Sequence, residues 1–135
     1  LYFKDDRMDA ALAMAPGGYA LFTDSGIATI DIPTMIMGAG LDEMTPYDTE
    51  SQPIYEALTV PKYLVGLEPA HHNVFSDFCG ILGTPLDYCD PAFETINIMA
   101  ASFFGLTIKE LDDYSEFLTE SYTQTLNQIE FASSP

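Results

Sequence analysis

The chain has 135 residues, about the size of one ordinary domain, and its 47% hydrophobic residues with nine Phe and eight Tyr exclude a disordered polypeptide. Its 21 acidic residues against four Lys and Arg give a net charge of −17, which excludes a phosphate-neutralising surface for nucleic acid and reads as solvated acidity suited to a salty or extracellular setting. No apolar run approaches the ~20 residues of a membrane-spanning helix.

The sequence opens on Leu1 rather than Met, so its start does not read as a translation start, and no basic region followed by an apolar run marks a signal segment. Ala10 to Ala15 is a continuous apolar run closed by Pro16-Gly17-Gly18, the pattern of a parallel strand covered on both faces. Thr34 to Gly40, led in by Asp31-Ile32-Pro33, reads as a second buried strand that ends in glycines, where the backbone can turn sharply. Asp48 to Leu58, with Ile54 and Leu58 at helical spacing, predicts a crossover helix, and Lys62 to Leu67 a third strand. Two helical patterns follow, Glu94 to Leu106 and Leu111 to Phe131. In the second, Leu111, Tyr114, Leu118, Tyr122, Leu126 and Ile129 step by three or four, and Thr107 with Glu110 is spaced as a capping box.

In an open parallel sheet, chemistry collects in the loops at the carboxyl ends of the strands. The loop after the second strand carries Asp42 and the loop after the third carries His71 and His72. A carboxylate beside an imidazole is the pairing that holds a histidine in one tautomer and stabilises its charged form. His71 and His72 near Glu68 lack the spacing of a metal site, and Asp112, Asp113 and Glu116, like Asp87 and Asp90, fit a solvated face better than a calcium loop. No metal or cofactor is expected. Cys79 and Cys89, the only cysteines, flank a short loop just beyond the histidines, and a disulfide is expected there. Closing that loop stabilises by roughly 2–3 kcal/mol in the chain-entropy model and implies an oxidising compartment, periplasmic or secreted.

The segment from Ile32 to Pro46, with Gly38-Ala39-Gly40-Leu41-Asp42 followed by Thr45-Pro46, resembles the seventh strand and acid loop of dienelactone-hydrolase-like and platelet-activating-factor-acetylhydrolase-like serine esterases, which are related to the bacterial cutinases. Pro53 to Leu58 resembles the helix that follows, Lys62 to Phe75 the last strand and histidine loop, and Thr95 to Phe104 the closing helix. Pro69 and Asn73 depart from the family pattern. The resemblance implies an α/β fold, the C-terminal part of an α/β-hydrolase parallel sheet: three strands with crossover and C-terminal helices. Residues 1–106 would belong to that domain and residues 107–135 to an amphipathic helical extension packed on it. It implies Asp42 as the triad acid and His72 as the triad base, with Tyr19 and Phe22 near the substrate cleft.

None of the serines lies in the G-x-S-x-G elbow that carries the nucleophile and one oxyanion donor. The expected partners are therefore a small carboxylic ester and the N-terminal half of the same hydrolase, which would supply the serine and the oxyanion hole. That half would also supply a strand beside Ala10 to Ala15, because Leu1 to Arg7 is short and charged and offers none. The alternative is a non-catalytic α/β-hydrolase-like subunit or binding module that keeps the pair without an active serine.

Overall fold

The computed structural model describes residues 5–126 and 129–134. Of the Leu1 to Arg7 lead-in, residues 1–4 lie outside the described residues. The described chain forms a four-stranded mixed sheet in the order β1-β2-β3-β4. β1 (Ala11–Met14), β2 (Thr34–Ala39) and β3 (Lys62–Leu67) run parallel, and β4 (Ile129–Ser134) runs antiparallel to β3. The register places Gly38 of β2 beside Gly66 of β3, and Glu130 of β4 beside Gly66 on the other side.

Alternation along the strands divides the interior into two cores. Met35, Met37 and Ala39 of β2, with Tyr63, Val65 and Leu67 of β3, pack against Ala92, Ile96, Met99 and Phe103 of the long helix α3 (Leu86–Thr107). Ile36 and Leu64 face the other way, onto Ile27 of α1 (Tyr19–Ile27) and Ile54 of α2 (Ser51–Ala57). Glycine is required at position 38 because a Cβ there would overlap the Tyr47 ring and the Ser51 side chain, both pressed against this face of the sheet. The apolar runs of β2 and β3 are thus strands with helices on both faces.

β1 is less covered than its composition predicts. Its first three residues are half-buried, Met14 is exposed, and among the described residues no strand pairs with it on the side away from β2. The link from β1 to β2 is a helix that the sequence did not signal. α1 has no continuous apolar stripe, since Leu21 and Phe22 are exposed and only Ile27 is buried, and its path is kinked at Thr23. α3 begins at Leu86, well before the predicted Glu94. Pro91 reads as a helix breaker because it removes one backbone donor, but burial of Tyr88, Cys89 and Ala92 and the Cys79–Cys89 disulfide hold the turns on either side of it.

The largest correction concerns the tail. Leu111 to Phe131 is not one amphipathic helix: residues Asp112–Leu118 form a 3-10 segment, Glu120–Thr123 a short helix α4, and Ile129–Ser134 is β4. Residues 127 and 128, inside the predicted helix, lie outside the described residues. A spacing of three suits a 3-10 helix as well as an α-helix, so the step from Leu111 to Tyr114 fits both. Glu110 adopts a left-handed φ of 54°, and Thr107 bonds back to the Phe103 carbonyl at 2.7 Å, so no capping box forms between them. Tyr114 lies on Gly105, where a side chain on α3 would exclude it. In β4, Ile129 and Phe131 pack on the α3 core, a period-two pattern that helical spacing conceals. The described residues after Thr107 are thus not one helix, and β4 among them is part of the sheet.

Lys62 shows how local chemistry fixes an element. At the start of β3 its ammonium donates to the carbonyls of Tyr55, Glu56 and Leu58 at 2.9, 3.2 and 2.9 Å and lies 4.6 Å from the Tyr55 ring centre. Those carbonyls lie in the last turn and C-cap of α2, where intrahelical donors run out and a cation is favoured; the Tyr55 carbonyl also accepts from Leu58 N–H at 3.3 Å. Lys62→Met keeps the apolar stem but takes the ammonium donor from these carbonyls, and we expect it to lower stability by about 1–2 kcal/mol, read as a lower urea midpoint at unchanged slope.

Candidate active site

The glycine-bounded end of β2 and the end of β3 are tied by their own backbones. Gly40 N–H donates to the Leu67 carbonyl at 2.9 Å, and Leu41 N–H to the Ala70 carbonyl at 2.8 Å. These bonds set the loop carrying Asp42 beside the loop carrying His72. Asp42 sits in a tight turn, its Oδ1 accepting from the backbone N–H groups of Met44 at 2.8 Å and Thr45 at 2.9 Å. Its Oδ2 accepts from the Thr45 hydroxyl at 3.0 Å and lies 2.8 Å from His72 Nδ1.

The histidine loop is anchored on its far side. Ala70 and Val74 are fully buried, and His71 N–H donates to the hydroxyl of buried Thr84 at 2.8 Å. His71 itself lies against Gly83 and not against the acid. Thr84 belongs to the segment closed by the Cys79–Cys89 disulfide, which joins the 3-10 turn Cys79–Leu82 to α3. That covalent tie therefore holds the partner of the residue next to His72.

The electrostatics favour the ionised form of the acid. The Asp42 side chain is 0% exposed, while that of His72 is 30% exposed. Burial alone raises a carboxyl pKa. At Asp42 the donors outweigh it: the Thr45 and Met44 amides, the His72 ring and the Thr45 hydroxyl hold the carboxyl below its usual range. An anion at Oδ2 keeps the imidazole proton on Nδ1, which leaves Nε2 as the nitrogen free to accept a proton.

Of the residues the sequence singled out, Asp42 and His72 are brought together, and Cys79 and Cys89 are joined. Tyr19 turns toward the α1 and α2 core, its hydroxyl 2.7 Å from Asp24 and its backbone N–H on Glu50 at 2.8 Å. Phe22 remains 58% exposed on α1, its ring over Gly18. Among the described residues, no group of three or more His, Cys, Asp or Glu side chains is arranged to hold a metal ion, and no helix is long and apolar enough to cross a membrane. A cavity of about 490 Å³ opens between Tyr47, Gly66, Glu68 and Glu130, but neither Asp42 nor His72 lines it.

Two further residues hold the pair or its loop, Thr45 and Thr84. Thr45 had a signal, since a threonine three residues after a turn aspartate can reach back to it. Thr84 had none, because its bond to His71 spans 13 residues through a fold contact. No protein-family model matches this chain, and no curated protein matches it.

Proposed function

We propose that this chain carries the acid and base of a serine-dependent carboxylic ester hydrolase of the α/β-hydrolase type, with Asp42 orienting His72. The observation that carries the reading is the 2.8 Å contact between Oδ2 and Nδ1, made by loops at the carboxyl ends of adjacent parallel strands. In this reading a serine on polypeptide outside these residues gives its hydroxyl proton to His72 Nε2 as its oxygen bonds to the ester carbonyl carbon. The tetrahedral oxyanion then collapses and breaks the carbon–oxygen bond to the alcohol, and the leaving oxygen takes the proton from Nε2. Water, deprotonated by the same nitrogen, then bonds to the acyl carbon, the bond from that carbon to the serine oxygen breaks, and the serine oxygen takes the proton back from Nε2, which releases the acid and restores the serine.

Two further features support it. The side of β1 away from β2 has no paired strand among the described residues, which suits a neighbouring strand that leads to the nucleophile. Leu41 and Met44 of the acid loop and Phe22 of α1 are exposed apolar side chains, suited to the acyl or alkoxy part of an ester. The Cys79–Cys89 bond fits an oxidising location, secreted or periplasmic.

The test is a fluorophosphonate label on the native protein. We expect one covalent serine adduct, formed in competition with a short-chain ester and abolished by His72→Ala. A folded native protein that takes no label would reject the esterase reading and favour a non-catalytic binding module.

A further inference from the structure

Thr45 meets three groups at once. Its Oγ1 lies 3.0 Å from Asp42 Oδ2, 3.1 Å from the Ala15 carbonyl oxygen and 3.3 Å from His72 Nδ1. A hydroxyl has one hydrogen and two lone pairs. Oδ2 and the Ala15 carbonyl are both acceptors, so that hydrogen serves one of them at a time. Nδ1–H is a donor and faces an oxygen whose lone pairs are free to receive it. Ala15 holds a left-handed φ of 46°, a conformation that residues other than glycine adopt rarely. Its carbonyl thus reaches the pair from a strained position just past the end of β1.

The charge on His72 decides which acceptor wins. With the imidazole neutral, the ionised carboxylate is the stronger acceptor, and the hydroxyl hydrogen lies on Oδ2. Asp42 then holds four donors, about as many as a carboxylate has lone-pair sites. Protonation of the ring puts positive charge on Nδ1–H, which repels a neighbouring hydrogen and attracts a lone pair. Rotating the hydroxyl hydrogen to the Ala15 carbonyl satisfies both demands without moving any heavy atom. We propose that Thr45 is a positioning residue whose hydroxyl hydrogen moves between Asp42 and the Ala15 carbonyl as His72 gains and loses charge, so that one side chain supports both states of the base.

This deepens the esterase reading, and its test needs no substrate. The readout is the proton resonance of His72 Nδ1–H in the native protein, recorded with the ring neutral and with it protonated. In Thr45→Val the neutral-state resonance should move downfield, because Oδ2 then accepts from the ring alone, and the protonated-state resonance should also be displaced. Thr45→Ser should leave both in place. Thr45→Ala carries the same test if the valine variant does not fold. A resonance that is unchanged in both states, displaced only in the neutral state, or displaced as far by serine as by valine overturns the inference. If the native protein hydrolyses esters, kcat/KM should fall about tenfold in T45V and not in T45S, the equivalent of one charge-assisted hydrogen bond. Loss of the esterase reading leaves the resonance test untouched, so the two fail separately.

Discussion

If the native protein hydrolyses esters as proposed, Asp42→Asn is expected to lower kcat by about 10⁴-fold while leaving the fold in place. The reason lies in how the four donors are shared. Two backbone N–H groups, from Met44 and Thr45, point at Oδ1, and an amide nitrogen cannot accept them. The asparagine oxygen must therefore occupy the Oδ1 position, which puts its NH₂ where Oδ2 now faces His72 Nδ1. A donor there forces Nδ1 to become the acceptor, and the ring proton moves to Nε2. His72 would then sit in its present place with the wrong nitrogen protonated, unable to take a proton from serine. The measurement is kcat with a chromogenic ester, beside the thermal midpoint and the fluorophosphonate labelling rate. A D42N protein that is folded and retains more than a tenth of the activity would show that His72 does not depend on this carboxylate.

The pair could be read from the sequence because both its members follow buried strands of unambiguous composition. Thr34 to Gly40 and Lys62 to Leu67 are apolar without alternation, so their ends, and the loops carrying Asp42 and His72, are well marked. What surrounds the pair was harder to see for two separate reasons. Some contacts are made by backbone or by distant polar side chains, as with the Ala15 carbonyl and Thr84, and leave no local pattern. Other segments carry a pattern that two structures share. Ile129 continues the three-and-four spacing of Leu118, Tyr122 and Leu126, yet Ile129 and Phe131 also alternate with Glu130, and pairing with β3 decides in favour of the strand. The Ser- and Thr-rich stretch from Thr119 to Thr125 ends helical propagation, since these side chains bond locally to backbone: Thr119 accepts from Tyr122 N–H, and Thr123 and Thr125 donate to nearby carbonyls. α1 leaves no helical pattern in the sequence, because an exposed crossover need not carry an apolar stripe when only one residue of it reaches the core.

Phe103→Ala is expected to cost about 3–5 kcal/mol of folding stability, the largest effect of a single substitution outside the pair. Phe103 is 0% exposed, at the centre of the α3 face that packs on β2 and β3. Its ring meets Tyr63 edge-on with centroids 5.7 Å apart and Phe104 at a tilt, 5.1 Å away. Removing it leaves a cavity between helix and sheet that rigid strands cannot close and takes away two aromatic contacts as well. Single domains are stable by only about 5–15 kcal/mol, so the loss should appear as a fall of about 10–20 °C in thermal midpoint. Phe104, only partly buried, supplies the control: Phe104→Ala should cost clearly less. The substitution also separates stability from chemistry. Tyr63 pairs with Phe103 near the start of β3, whereas Asp42 and His72 follow the far ends of β2 and β3. The remaining folded molecules should therefore keep the Asp42–His72 contact and its Nδ1–H resonance. An F103A protein as stable as the parent would mean that α3 repacks on the sheet. One that keeps its stability but loses the resonance would mean that the position of the pair depends on that helix face as well as on the loops that carry it.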